Sequence, residues 1–411
     1  MSERTKQIGV IILFIISVVL FGFFIYWFFW RPFLNPPTPE ELEEPTLLGR
    51  LLGGQPADPR TLISPTDTLL RPTEVTTTPT EIITPVTTTD DRISAFVDVP
   101  ARFSKMTRNG EIVYYNSEDG KFYRIDVNGN LVALSDEQFF AVSNATFDPN
   151  GTKAVIEYPD NSKLVYDFAN KKQYILPRHW EDFGFSPTGQ ELIFKNMALD
   201  VENRFLVTSK FDGSSVKIID TIGRNADKVT PNWSPNNLII ATYAESKDGN
   251  RTDVFMVGQN NENFRSLLVN GRDFRGLWSP SGDAMIYSAY DVNNEYKPEL
   301  WITNTSPENM DVGRQPVGLQ TWADRCSFSG NDRVFCSVPE SMPFASGLEP
   351  SLTDSINDQV WSINIRTGQK TLIAQPDEVT KIDKILVSPE NPNQVFLSDA
   401  VTNKIYKLDL E

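Results

Sequence analysis

Phe185-Ser186-Pro187-Thr188-Gly189, running on to Leu192-Ile193-Phe194, is one copy of a phrase that recurs along the chain: an aromatic or apolar residue, Ser-Pro, a small or polar residue, Gly, then an apolar run. The same phrase stands at Trp233-Ser234-Pro235 before Leu238-Ile239-Ile240, and at Trp278-Ser279-Pro280-Ser281-Gly282 before Met285-Ile286-Tyr287. Looser copies are Phe147-Asp148-Pro149-Asn150-Gly151, Cys326-Ser327-Phe328-Ser329-Gly330 and Val387-Ser388-Pro389. A seventh, from Met106 to Gly110, keeps little beyond its glycine and the run Ile112-Val113-Tyr114-Tyr115. Measured from the first residue of each copy, the steps are 41, 38, 48, 45, 48 and 61 residues. Periods of that size belong to repeat architectures.

Proline fixes its own φ and biases the preceding residue toward extended backbone, while glycine tolerates positive φ, so Ser-Pro-x-Gly joins two extended segments as a hairpin corner. After each corner come short β-branched or aromatic runs, such as residues 163–168, 205–209, 253–257, 299–303 and 359–363, then a third set such as 174–176 and 266–269. With the segment before the corner this makes four strands per repeat, the pattern of a β-propeller blade. Seven copies predict an all-β, seven-bladed β-propeller over residues 93–411. The last repeat supplies three strands (394–398 and 404–410 being its second and third) and then ends. An exposed strand edge invites aggregation, so Ile93 to Val97 is expected to pair there as the missing outer strand.

The corner phrase and its flanking strands resemble the TolB-type propeller repeat, which also occurs in the propellers of prolyl-oligopeptidase-like proteins. The resemblance covers roughly residues 93–411, and its specific copies are those at Phe185, Trp233 and Trp278. The chain departs from it at Asn236-Asn237, which lacks the glycine, and at Phe328, which replaces the proline; neither the small α/β domain of TolB nor the hydrolase domain of the oligopeptidase relatives is expected beside these repeats.

Ahead of the repeats the composition changes twice. From Ile8 to Trp30 the chain is uninterruptedly apolar, long enough as a helix to cross a bilayer. Arg4 and Lys6 precede it, and Arg31 followed by Glu40, Glu41, Glu43 and Glu44 comes after, a bias that predicts a cytoplasmic N-terminus. Its far end is bulky, without the small residues of a signal-peptidase site, so residues 1–31 are expected to be a cytoplasmic tip and an uncleaved transmembrane helix. Residues 32–92 are rich in Pro and Thr and predict a disordered, extended stalk. The propeller is then expected outside the cytoplasm, periplasmic or at the cell surface.

Charge narrows the partners. Residues 1–31 carry a net +2 and residues 32–92 a net −6, leaving −12 of the chain's −16 on the propeller. So acidic a domain, with no basic stripe, repels phosphate backbones, and no nucleic-acid partner is expected. The two cysteines, Cys326 and Cys336, flank one corner. A disulfide and a pair of buried thiols are both open readings, since a one-residue change of register would send the side chains to opposite faces.

No catalytic constellation emerges. The single histidine is His179, and there is no Gly-x-Ser-x-Gly elbow. Asp126-Val127-Asn128-Gly129-Asn130 and Asp248-Gly249-Asn250 look like pieces of calcium loops, but they lack the full ligand series and suit ordinary turns as well. No catalytic, metal or cofactor residue is assigned.

Loop length is more informative. The loops after the second strand of a blade lie opposite the corners and are long in repeats three to six: 196–203, 244–251, 290–298 and 340–358. Loops on a rigid scaffold are where recognition concentrates. The expected partner-binding residues are Tyr243, Glu245, Asp248, Tyr290, Asp291, Glu295, Tyr296, Met342, Phe344, Leu348 and Glu349, an acidic rim around aromatics. The expected function is a membrane-anchored, non-enzymatic protein-interaction module of an envelope or cell-surface assembly. A polysaccharide- or peptidoglycan-binding module, with a glycan as partner, is the first alternative. A metal-dependent propeller lyase or lactonase is the second.

Overall fold

In a computed structural model of the chain, the residues described are 92–260, 262–377 and 379–410. The expected transmembrane segment and all but the last residue of the expected stalk lie outside them. Among the described residues no helix is long and apolar enough to cross a membrane.

The described residues form seven four-stranded antiparallel sheets. The first blade is Ala101–Met106, Ile112–Asn116, Lys121–Ile125 and Leu131–Ala133. The second is Asn144–Phe147, Lys153–Glu157, Lys163–Asp167 and Lys172–Leu176. The third is Trp180–Phe185, Glu191–Asn196, Phe205–Lys210 and Lys217–Thr221. The fourth is Val229–Pro231, Ile239–Ser246, Arg251–Gly258 and Leu267–Asn270. The fifth is Arg272–Trp278, Ala284–Tyr290, Glu299–Asn304 and Gln315–Pro316. The sixth is Cys326–Ser329, Arg333–Pro339, Asp358–Asn364 and Lys370–Ala374. The seventh takes Ile382–Val387, Gln394–Asp399 and Ile405–Asp409 from the end of the chain and Ile93–Val97 from before the first blade. The expected outer strand is therefore in place, with Ile93 opposite Leu408 and Val97 opposite Ile405.

Each blade buries both faces, so its second strand reads as a continuous apolar run rather than an alternation. Successive residues of that run serve the two neighbours in turn. Leu192 and Phe194 enter the cluster shared with the second blade, while Ile193 enters the one shared with the fourth. Met285 and Tyr287 face the fourth blade, and Ile286 faces the sixth. Seven apolar clusters result, each spanning two adjacent blades. The cluster joining Ile112, Tyr114 and Ile125 to Leu386, Phe396 and Ile405 closes the ring between the first blade and the seventh. Outer strands such as Lys217–Thr221 stay largely exposed.

The corners have a shared construction that explains their residues. The Ser186 hydroxyl accepts the Glu191 amide at 3.1 Å, Ser234 the Ile239 amide at 2.9 Å and Ser279 the Ala284 amide at 3.1 Å. In the second blade Asp148 does the same for Thr152 and Lys153, at 2.6 and 2.8 Å. Gly151, Gly189 and Gly282 all have positive φ, and in the fourth blade Asn237 takes that conformation at φ 64° in place of a glycine. Successive corners also nest. A Cβ on Gly189 would lie 2.6 Å from Asp148 Oδ2, and one on Gly282 would lie 2.6 Å from Asn236 Cγ.

The sixth copy of the phrase is shifted from where the sequence suggests. Phe328 pairs with Val334 as Phe185 pairs with Leu192, so Ser329 rather than Ser327 stands at the corner. Without a proline to stop it, the inner strand runs on to Ser329. Cys326 falls directly opposite Cys336, both buried, and the two are joined as a disulfide. Of the two readings open in the sequence, the register selects this one.

Two stability experiments follow. Gly189→Ala forces a side chain into left-handed backbone, a cost of about 1–2 kcal/mol, and adds the clash with Asp148. Gly313→Ala has the same φ sign but open space around it, so it incurs the first cost alone. The Gly189 variant should melt measurably below the Gly313 variant, and equal melting temperatures would contradict the nesting of corners. Cys336→Ala should lower unfolding stability by about 2–3 kcal/mol, as expected for a short disulfide loop. Mild reduction of the wild type should reproduce that loss.

Candidate functional site

The loop between the second and third strands of the sixth blade, residues 340–357, accounts for the longest step in the repeat. It is held at several points. Its neck closes through the Glu340 amide donating to Asn357 O at 2.9 Å. Inside it Met342, Ser346 and Thr353 are buried. The Ser346 hydroxyl donates to Pro343 O at 2.7 Å, at the turn that carries Phe344 outward.

The firmest anchor lies beneath the loop. Lys381, buried at 7% exposure, donates from Nζ to Thr353 O at 2.7 Å and to Thr353 Oγ1 at 3.1 Å. Its countercharge is Asp358, fully buried, which accepts the Ile382 amide at 2.8 Å and meets Arg325 at 3.5 Å. Burial lowers the Lys381 ammonium below the usual lysine range, and Asp358 opposes that shift. Burial raises the Asp358 carboxyl, and Arg325, the Ile382 amide and Lys381 oppose that. A buried charge of this kind persists where each partner is hydrogen-bonded.

A second clasp comes from the fifth blade. The Ala345 amide donates to Glu295 O at 3.0 Å and the Gly347 amide to Tyr296 O at 2.8 Å. Tyr290 and Tyr296 meet edge to face with centroids 6.4 Å apart, and Tyr296 meets Phe344 in the same way at 6.0 Å. Gly347 is required there, because a Cβ would lie 2.4 Å from the Tyr290 ring. Glu295, Tyr296 and Ala345 are all held at positive φ, an unfavourable backbone for such residues that the clasp maintains.

Held in this way, the loop presents Phe344, Leu348 and Leu352 at 65%, 58% and 45% exposure. Exposed apolar residues scattered singly are ordinary. Here three lie within nine residues of one anchored loop. Glu349 flanks them and accepts the Ser351 hydroxyl at 2.6 Å.

The structure joins Tyr290, Glu295, Tyr296, Phe344 and Leu348 of the expected set, and it redistributes the others. Met342 is an anchor inside the loop, not a contact residue, because its unbranched side chain fills the space beneath. Asp291 is occupied as a turn acceptor for the Asn293 and Asn294 amides, at 2.8 and 3.0 Å. The supposed long loop of the fourth blade is mostly strand, since Ile239–Ser246 and Arg251–Gly258 continue the hairpin and leave four residues between them. Tyr243 accordingly stacks on Phe255 along that hairpin, at 5.8 Å, and lines a cleft of about 490 Å³ between the third and fourth blades. Glu245 pairs with Lys247 at 3.0 Å, and Asp248 is a turn acceptor for the Asn250 amide at 2.9 Å. The acidic rim therefore consists of separate local turns and pairs.

Lys381, Asp358 and Arg325 were missed because nothing in their local sequence marks them; they meet only through packing of the sixth and seventh blades. His179 is exposed. Asp126 accepts the Asn128 and Asn130 amides at 2.9 and 2.8 Å, as a turn residue does. Among the described residues, no three His, Cys, Asp or Glu side chains are grouped as a metal site requires.

No protein-family model matches the chain, and no curated protein does. Solved structures do match. The chain is similar to the β-propeller domain of Myceliophteria thermophila Cps50 (Swd1), with a TM-score of 0.52 at 10% identity, over 78% of this chain and 100% of that one. It is similar to a chain of the mitotic checkpoint complex, with a TM-score of 0.50 at 11% identity, over 86% of this chain and 100% of that one. Oligogalacturonate lyase in complex with manganese matches with a TM-score of 0.49 at 13% identity, over 78% and 93% of the two chains. At these identities the likeness is one of fold, and the fold is a seven-bladed β-propeller. The TolB-type resemblance rests on the corner phrases alone.

Lys381→Met removes both bonds to Thr353 and leaves Asp358 with one cation fewer. It should cost about 2 kcal/mol, the scale of a charged hydrogen bond. Limited proteolysis should then cut within residues 340–357 well before the rest of the ring, and an unchanged cleavage rate would show that the loop does not depend on this anchor.

Proposed function

We propose that this chain is a membrane-anchored, extracytoplasmic β-propeller that docks a protein partner on the loop at residues 340–357, as a non-enzymatic member of an envelope or cell-surface assembly. The observation that carries the reading is the anchored presentation of Phe344, Leu348 and Leu352. Ordering such a loop before binding removes an entropic cost that a mobile loop would incur on association. Exposed aromatic and aliphatic side chains on a fixed frame are the usual anchors of a protein interface.

Charge suggests the partner's chemistry. Glu340, Glu349 and Asp354 lie on the same loop, in a domain of strongly negative balance. The reading therefore calls for a segment whose apolar side chains are flanked by Lys or Arg, which would also be steered electrostatically. The anchoring part rests on the apolar run from Ile8 to Trp30 with its basic leading flank. The Cys326–Cys336 disulfide supports an oxidising compartment.

A photoreactive residue at position 348 in intact cells should capture a discrete protein. Phe344→Ser in the same chain should reduce that capture at least about tenfold, the effect of losing one well-packed anchor. Phe344 is exposed but edges onto Tyr296, so the variant should lose no more than about 1.5 kcal/mol of stability, the scale of one aromatic pair. Capture from the corner face instead, or only by cell-wall glycan, would overturn the docking assignment. Protease added to intact cells, or to spheroplasts where an outer membrane encloses a periplasm, should degrade the propeller, and protection of residues 93–411 in both would overturn the location.

A further inference from the structure

The inner strands of alternate blades share a bulge. In the third blade Asp182 and Phe183 together stand opposite Phe194, between the pairs Glu181–Lys195 and Gly184–Ile193. In the fifth blade Asp273 and Phe274 occupy the corresponding place. Asp182 and Asp273 have φ of 56°, and each is neutralised, Asp182 by Lys195 at 2.7 Å and Asp273 by Arg275 at 3.0 Å. Phe183 and Phe274 pack against the inter-blade clusters.

In the first blade the chemistry of the bulge is reversed. Phe103, at φ 57°, stands where the other blades place aspartate, and Ser104 stands where they place phenylalanine. Ser104 is 3% exposed, and its hydroxyl is without a hydrogen-bond partner. Next to it, Lys105 Nζ donates to Phe147 O at 2.7 Å, and Lys384 of the seventh blade reaches Ser104 O at 3.5 Å. Among the described residues neither lysine meets a carboxylate at ion-pair distance. Asp148, the carboxylate that attracts Lys105, is taken up by the amides of its own corner, and Asp324 across the pocket is bound to Arg275 at 3.0 Å. Phe103, Ser104, Lys105, Phe147, Asp324 and Lys384 border one pocket of about 370 Å³, where the inner strands of the first, second and seventh blades face the start of the sixth.

We infer that this pocket is a binding site for a small organic carboxylate. Two ammonium groups match the two oxygens of a carboxylate, the Ser104 hydroxyl supplies a further donor, and Phe103, Phe147 and Leu386 offer apolar walls for the organic part. Charge-assisted hydrogen bonds are the strong class; here half-buried Lys105 and exposed Lys384 would supply them beside the buried Ser104 hydroxyl. Within a propeller of net negative charge this is a local reversal of sign, which selects a compact anion over an extended polyanion. Lys105 is already depressed to about 8 by burial and by Lys384 and Arg108, against the pull of Asp148, and a bound carboxylate would raise it again.

The test uses the purified full chain. Calorimetry and thermal unfolding are run with sodium benzoate against sodium chloride at equal ionic strength, with inorganic phosphate as a second anion. Benzoate should bind saturably and raise the melting temperature beyond the chloride control. Lys384→Met should weaken it about tenfold or more, and Ser104→Ala about threefold, as expected for losing one charged and one neutral donor. In case a variant fails to fold, acetic anhydride labelling of the wild type at pH 8 gives an independent readout, in which Lys105 should be acetylated readily and protected by benzoate. An absence of saturable binding, tighter binding of phosphate than of benzoate, or labelling of Lys105 that benzoate does not change would each overturn the assignment.

Discussion

Burial of both faces of every sheet is the constraint on which the rest of this molecule depends. A blade alone would expose two apolar surfaces, and any open array of blades would still expose one at each end. The ring removes both ends at once. Its last interface, joining Ile112 and Tyr114 of the first blade to Leu386 and Phe396 of the seventh, is built like the others. The seventh sheet is completed by a strand from the opposite end of the domain, so the fold is secured by hydrogen bonds as well as by packing.

Much of this was legible in the residues. Ser-Pro-x-Gly is a local signal, because the serine hydroxyl and the glycine φ are both used within the corner itself, and three strong copies were enough to set the period. The expected closing strand emerged from counting strands in the last repeat. Where the local signal weakened, the reading drifted. In the sixth blade the missing proline let the inner strand run past Ser327, and the phrase was laid two residues early. In the fourth blade Ala244 to Ser246 are polar enough to suggest a loop, yet they pair with residues 252 to 254 as a continuing hairpin.

The candidate site was legible as a place more than as a mechanism. Loop length pointed to residues 340–358, and Phe344 and Leu348 are indeed presented there. What the spacing of residues does not encode is how the loop is held. Thr353 depends on Lys381, which belongs to the next blade, and Ala345 and Gly347 depend on the backbone of Glu295 and Tyr296 in the previous one. Met342 was grouped with its exposed neighbours because composition alone does not separate an anchor from a contact. The Ser104 pocket was invisible for a similar reason: its lysines lie in the first and seventh blades, adjacent only after the ring has formed.

The pairing of Ile93–Val97 with Ile405–Asp409 also fixes the order of events in assembly. The first strand of the domain pairs with its last, so until that last strand has been made the first one waits with an unsatisfied edge. Contacts of such long sequence separation form slowly. The nascent domain thus passes through an open, sticky arc before it becomes a ring, and the interval between those two states is when a holding chaperone would matter most.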